Sequence, residues 1–195
     1  MMSTGSGRKE KSMKLNELIK TNNARVYGFD AFKGLEALSM KEGASIVIST
    51  LSPAIMNSMG IATYYAPVLS RGTVFNTTSD VYNADLDVQL INIFSYPSWD
   101  DVNTDKIIIV SRHKATIEIL HNMYPNAPVF SDSVSKHDID RAHVIGTLPP
   151  MLIQHCQSYR AVTIKDFDHS KDGCLSGQEL NDRISISNPI SVTVD

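Results

Sequence analysis

The stretch Lys106-Ile107-Ile108-Ile109-Val110-Ser111-Arg112-His113-Lys114 decides the fold class. Ile107 to Val110 is an unbroken apolar run of β-branched residues, the composition of a strand buried on both faces in a parallel sheet. At Ser111 the pattern turns polar, and Lys114 to Met123 then reads as a helix. The remainder of a βαβ arrangement follows. His143-Val144-Ile145 is a second strand, Gly146-Thr147-Leu148-Pro149 a turn, Pro150 to Gln157 a helix with proline in its first turn, and Ala161 to Lys165 a third strand. Strands and helices alternating in this way predict an α/β fold with a small parallel or mixed sheet, flanking helices and right-handed crossovers.

Towards the N-terminus the same grammar recurs with weaker signals. Leu15 to Lys20 reads as a short helix, Arg25 to Phe29 as a strand, and Phe32 to Met40 as a helix closed by Lys41-Glu42-Gly43. Ser45 to Ser49 is a β-branched strand, followed by Thr50-Leu51-Ser52-Pro53 and a helix from Ala54 to Met59. Residues 63 to 98, rich in Thr, Tyr, Val, Phe and Asn, predict short strands, including Val88 to Phe94. Pro97 to Asp101 reads as a connector. The expected organisation is a loose tail over 1–12, an N-terminal α/β region over 13–100, an α/β domain over 105–185 and a C-terminal tail over 186–195.

Composition narrows the function classes. The 195 residues are 42% hydrophobic and 20% charged, close to globular averages, and can bury a core without metal or disulfide staples. A net charge of -3 supplies no broad basic field for duplex DNA, although a local basic pocket can still hold a compact anion. Cys156 and Cys174 lack paired metal-ligand spacing and read as free thiols in a reducing compartment. No apolar run is long enough to span a bilayer, and Met1 to Met13 has no apolar signal-peptide core, so the expected location is the cytoplasm, that of the host if the protein is viral.

Chemistry concentrates at the strand ends, where sheets of this kind bind ligands. Ser111-Arg112-His113 puts a guanidinium, an imidazole and helix-start amides at one sheet edge. Arg offers forked donors to phosphate and His exchanges a proton near neutral pH, which suits phosphodiester cleavage. Lys114 adds a cation. The bland alternative is a helix-entry salt bridge with Ser111 as cap. Gly146, Thr147 and Leu148 occupy the matching place after the next strand, where glycine permits close backbone approach and threonine offers a hydroxyl. There the bland alternative is a tight turn at Gly146 and a helix cap at Thr147.

Ile109-Val110-Ser111-Arg112-His113, with Ala115 beyond, and Val144-Ile145-Gly146-Thr147-Leu148-Pro149 resemble the paired signatures of a small family of CRISPR-associated accessory ring nucleases. The resemblance covers roughly 105–182, taking in Leu175-Ser176 and Glu179-Leu180. A looser similarity to viral anti-CRISPR ring nucleases runs over His113 to Leu120 and Leu175 to Leu180. What the resemblance implies is cleavage, without a metal ion or other cofactor, of the cyclic oligoadenylates that serve type III CRISPR systems as second messengers. Family members are usually about half this length and often carry a small residue where this chain has Lys114. On this reading Arg112 and His113 are catalytic, and the ligand contacts are Ser111, Lys114, Gly146, Thr147 and Leu148. The alternative within the same ligand class is a non-catalytic sponge or sensor.

Ile48-Ser49-Thr50-Leu51-Ser52-Pro53 parallels Ile145-Gly146-Thr147-Leu148-Pro149-Pro150, each after a strand and before a helix. One reading makes the N-terminal half a diverged copy, with Thr50 and Ser52 as further ligand contacts and the chain an internal pseudo-dimer rather than a homodimer around a two-fold symmetric ligand. No Arg-His precedes the first copy. A separate motif, Asp168 to Glu179, fits the twelve-residue calcium-loop pattern, with Asp168, Ser170, Asp172, Cys174 and Glu179 as ligands, and supports a calcium-binding interaction module as a third alternative. Against it, Ala161 to Ile164 prefers a strand where that motif needs an entering helix, and Asp172-Gly173 with a Ser176 helix cap accounts for most of the same residues.

Overall fold

The computed structural model describes residues 13–70, 72–98, 106–165 and 177–195. The chain has a mixed α/β architecture divided into two compact units, one formed by residues up to Leu51 with Tyr64–Leu90, the other by Ser52–Thr63 with Ile91–Asp195. The expected boundary near residue 100 is therefore displaced. A strand crosses from one unit to the other at Leu90, and a helix from the first half of the sequence joins the second unit.

In the first unit, β1 (Met13–Lys14) and α1 (Leu15–Thr21) lead into β2 (Asn22–Tyr27), then α2 (Asp30–Lys33), a 3-10 turn over Gly34–Leu38, β3 (Ala44–Ser49), β4 (Thr63–Pro67, joining the unit at Tyr64), α4 (Thr78–Ala84) and the start of β5 (Asp87–Ser95); α3 (Pro53–Ser58) lies between β3 and β4 in sequence. β2 and β3 run parallel in register from Asn22↔Ala44 to Tyr27↔Ser49, and Ile48 pairs with Tyr65 of the parallel β4. β5 follows β4 in the sheet order, and β1 pairs antiparallel with β5. Leu15, Ile19, Phe32, Leu35, Ile48 and Val81 form its dry core. Residues 63–98, expected as strands and turns, also contain the helix α4. A reciprocal capping box starts it: Thr77 Oγ1 accepts from Asp80 N while Asp80 Oδ2 accepts from Thr77 N.

The second unit contains β6 (Ile107–Val110), α5 (Lys114–Met123), β7 (Val129–Phe130), β8 (His143–Gly146), α6 (Pro150–Ile153), β9 (Ser158–Ile164), α7 (Gly177–Arg183), β10 (Ile184–Ile186) and β11 (Ile190–Val194). β7, β6, β8 and β9 are parallel neighbours in that order, and β10 and β11 both pair antiparallel with β9. Ile109 and Ile145 pack with Leu120 and Ala127 in its core. The helix expected to reach Gln157 stops at Ile153, because Ser158 is already paired with His143 and the chain must turn before it. The expected C-terminal tail is also corrected. Ile190 to Val194 pairs with Ser95 to Ile91, and Ile190 and Val192 bury their side chains. The tail expected over 1–12 lies outside the described residues. Among the described residues no helix is long and apolar enough to cross a membrane.

Candidate functional site

The expected site residues of the second unit meet at the carboxyl ends of three parallel strands. Phe130, Val110 and Gly146 stand in register as the last residues of β7, β6 and β8. Beyond them the backbone stays tied together: Ser111 N donates to Phe130 O at 3.1 Å, and Thr147 N donates to Val110 O at 2.9 Å. The loop that begins at Ser111 thus adjoins the loop that begins at Thr147. Gly146 makes the approach possible. Its φ is +140°, and a Cβ there would fall on the Val110 carbonyl, so no other residue fits without moving the strand end.

Each side chain has a defined setting. Ser111 is buried, and its Oγ accepts from His113 N at 3.2 Å, fixing the turn into α5. Arg112 is exposed, with Nη2 donating to the Asp132 carbonyl at 3.2 Å. His113 is the half-buried residue before α5, and its Nδ1 lies 3.4 Å from Oγ1 of the buried Thr116. Lys114 opens α5 and is exposed. Thr147 is also exposed and caps nothing, since the residue before α6 is Pro149. It is thus an exposed residue on a backbone that is held in place. Leu148 is buried.

Three supporting residues escaped the sequence reading. Tyr159, on β9, donates its hydroxyl to Gly146 O at 2.8 Å and accepts from Leu148 N at 3.3 Å, bracketing Thr147. Burial pushes its phenol well above the usual range, so it remains a donor. Asp132 contributes a carbonyl to Arg112, and Thr116 a hydroxyl beside His113. Only Thr116 had a readable signal, its place three residues after His113 on one helix face.

No family model, curated protein or solved structure matches this chain. The site is therefore read from its own geometry. It offers a guanidinium, an imidazole, an ammonium and a hydroxyl on adjoining loops at one sheet edge, a set suited to a phosphate group and to proton transfer next to it.

Thr50 and Ser52 are engaged differently. Thr50 Oγ1 accepts from Phe29 N at 3.2 Å, and Ser52 caps α3 by accepting from Ile55 N at 3.4 Å. Of the calcium-loop candidates, Asp168, Ser170, Asp172 and Cys174 lie outside the described residues, while Glu179 is exposed on α7 with a carboxylate oxygen 3.6 Å from Arg183 Nη1. The chain approaches that motif along the strand β9. Among the described residues, no three His, Cys, Asp or Glu side chains gather as a metal site.

Proposed function

We propose that this chain binds cyclic oligoadenylate second messengers and cleaves them by metal-independent transesterification, within type III CRISPR signalling or viral evasion of it. The observation that supports the reading is the backbone joining of the Ser111-Arg112-His113 and Gly146-Thr147 loops at the in-register ends of β6 and β8. The two segments that carry the ring-nuclease resemblance are thus neighbours at the carboxyl ends of parallel strands, where sheets of this kind commonly bind ligands.

The chemistry is an in-line attack. A ribose 2′-oxygen bonds to the adjacent phosphorus, the P–O5′ bond breaks, and the products carry a 2′,3′-cyclic phosphate and a 5′-hydroxyl. Arg112 neutralises charge on the non-bridging oxygens, and Thr147 supplies a hydroxyl to the same phosphate. His113, its Nδ1 beside Thr116, uses Nε2 to take the 2′-proton or to protonate the departing 5′-oxygen.

The test incubates purified protein in EDTA with labelled cyclic tetra- and hexa-adenylate and reads both binding and products. The wild type should yield linear products ending in 2′,3′-cyclic phosphate, and His113→Ala should lower the rate by about 100-fold or more, the scale of a lost general acid or base. Binding without turnover would replace cleavage by sequestration or sensing. Neither binding nor turnover would overturn the proposal.

A further inference from the structure

The two halves of the chain share more than a sequence of elements. In each, three parallel strands are neighbours in chain order, β2-β3-β4 and β6-β8-β9, the second half adding the two-residue β7 beside β6 and β10 beside β9. Tyr27 pairs with Ser49 as Val110 pairs with Gly146, and Ile48 pairs with Tyr65 as Ile145 pairs with Arg160. The bond Thr50 N to Tyr27 O, at 3.2 Å, repeats Thr147 N to Val110 O. One residue before Tyr65 and Arg160 stand Tyr64 and Tyr159, both fully buried. Each sends its hydroxyl to a carbonyl near the end of the middle strand, Tyr159 to Gly146 O at the strand end and Tyr64 to Leu51 O, two residues beyond the equivalent Ser49. Both following helices begin with proline, Pro53 and Pro150.

This register aligns Gly28-Phe29-Asp30 with Ser111-Arg112-His113. The cleaving pair is absent from the first half: an aromatic ring stands where Arg112 does, and a carboxylate where His113 does. That carboxylate cannot attract phosphate, and it is already paired with Lys33 at 2.8 Å. Phe29 is different. Its backbone is fixed on both sides, with N donating to Thr50 Oγ1 and O accepting from Phe32 N and Lys33 N, yet its residue surface is 64% exposed. A large exposed ring on a fixed backbone at the carboxyl end of parallel strands is a stacking platform, and purine bases stack on such rings.

We infer that the first half is a diverged, non-cleaving copy of the second, in which Phe29 provides a base-stacking position for the same class of adenylate ligand. The inference rests on the ring-nuclease reading for the identity of the ligand. It gives the first hundred residues a binding role while leaving cleavage to Arg112 and His113.

The experiment compares wild type, Phe29→Ala and Phe29→Tyr, each as the full chain, with cyclic tetra-adenylate as probe. Affinity is read as Kd for the intact ring, with His113→Ala introduced into all three proteins where the ring is cleaved. Phe29→Ala should weaken affinity by at least about fivefold, the low end for losing one base–aromatic stack, with Phe29→Tyr close to wild type. If wild type engages the probe and Phe29→Ala loses less than fivefold, or Phe29→Tyr is weakened as much as Phe29→Ala, the stacking position is overturned and the proposed function stands. If wild type neither binds nor cleaves the probe, the proposed function falls and this inference falls with it.

Discussion

β6 leads into Ser111-Arg112-His113 and β2 into Gly28-Phe29-Asp30, yet each strand is paired with its neighbour in the same register and tied to it by the same backbone bond. The halves differ in how they bring those strand ends together. In the second, a glycine on the middle strand, Gly146, packs against the Val110 carbonyl. In the first, Ser49 holds that place and the glycine stands on the neighbouring strand's exit, at Gly28, whose φ is +116° and which packs on the Thr50 side chain. Thr147 is exposed, whereas the hydroxyl at Thr50 accepts a bond from Phe29 N. The same strand-end register thus carries different residue types in the two halves, and Thr50 of the first half is engaged within its own turn.

Glycine substitution breaks this comparison most strongly. Gly146→Ala forces a Cβ onto backbone at a φ that L-residues avoid, and the obstacle cannot rotate away. The expected cost is about 3–5 kcal/mol, from strain plus overpacking, with loss of ligand binding. Gly28→Ala meets chiefly the Thr50 hydroxyl, a side chain, so Thr50→Ala in the same protein should recover part of its loss. Urea denaturation of the two single variants and the double variant measures both. Equal costs for Gly146→Ala and Gly28→Ala, without recovery, would remove the distinction between a backbone obstacle and a side-chain one.

The second half is also where the sequence was most readable. Ile107 to Val110 could be little but a buried strand, and the polar break after it located α5 from Lys114 to Met123 as observed. In residues 63–98 the β-branched and aromatic content hid α4, although Thr77 and Asp80 carried its capping box. The C-terminal strand was obscured by Asn188-Pro189 and by its short length, and only the alternation of Ile190 and Val192 marked a buried face. At the candidate site, Arg112, His113 and Gly146 stood out because of their residue types, a fixed cation, a proton-exchanging ring and a residue free of Cβ. Tyr159 and the Asp132 carbonyl were not, because what they bond is decided by the pairing of strands distant in sequence.

A second way to sharpen the contrast uses acid. All six histidines lie in the second half of the sequence, and His143 is fully buried on β8, bonded through Nδ1 to the Ser158 hydroxyl across the strand pair. Burial, with the Arg160 charge adding to it, lowers its pKa to about 3. The unfolded chain therefore binds this proton near the ordinary value of 6.5 while the folded chain resists it, so stability is complete above about pH 6.5 and falls as the pH drops towards 3. At about 1.4 kcal/mol per pH unit, the loss at about pH 4.5 is about 2–3 kcal/mol. Urea midpoints at the two pH values should show that loss in wild type and much less of it in His143→Asn. An unchanged acid response in His143→Asn would assign the sensitivity elsewhere.

The smallest effect separates the two tyrosines that occupy equivalent places. Tyr64 donates one hydrogen bond, to Leu51 O at 3.3 Å, whereas Tyr159 donates to Gly146 O at 2.8 Å and accepts from Leu148 N as well. Removing a buried hydroxyl leaves its former partners unsatisfied, at about 1–3 kcal/mol for each group left without one. Tyr64→Phe strands one carbonyl through a long bond and should cost about 1 kcal/mol; Tyr159→Phe strands a carbonyl and an amide and should cost about 2 kcal/mol. Both rings still fill their volume, so the difference isolates the hydroxyl. It also carries a functional signature, because the two groups bonded by Tyr159 flank Thr147. Tyr159→Phe should weaken cyclic tetra-adenylate binding beyond what its lowered stability explains, measured well below the melting temperature where both variants are folded. If Tyr64→Phe weakened binding as much, the loss would not report on the Thr147 loop and the second half would lose its claim to a specially held loop.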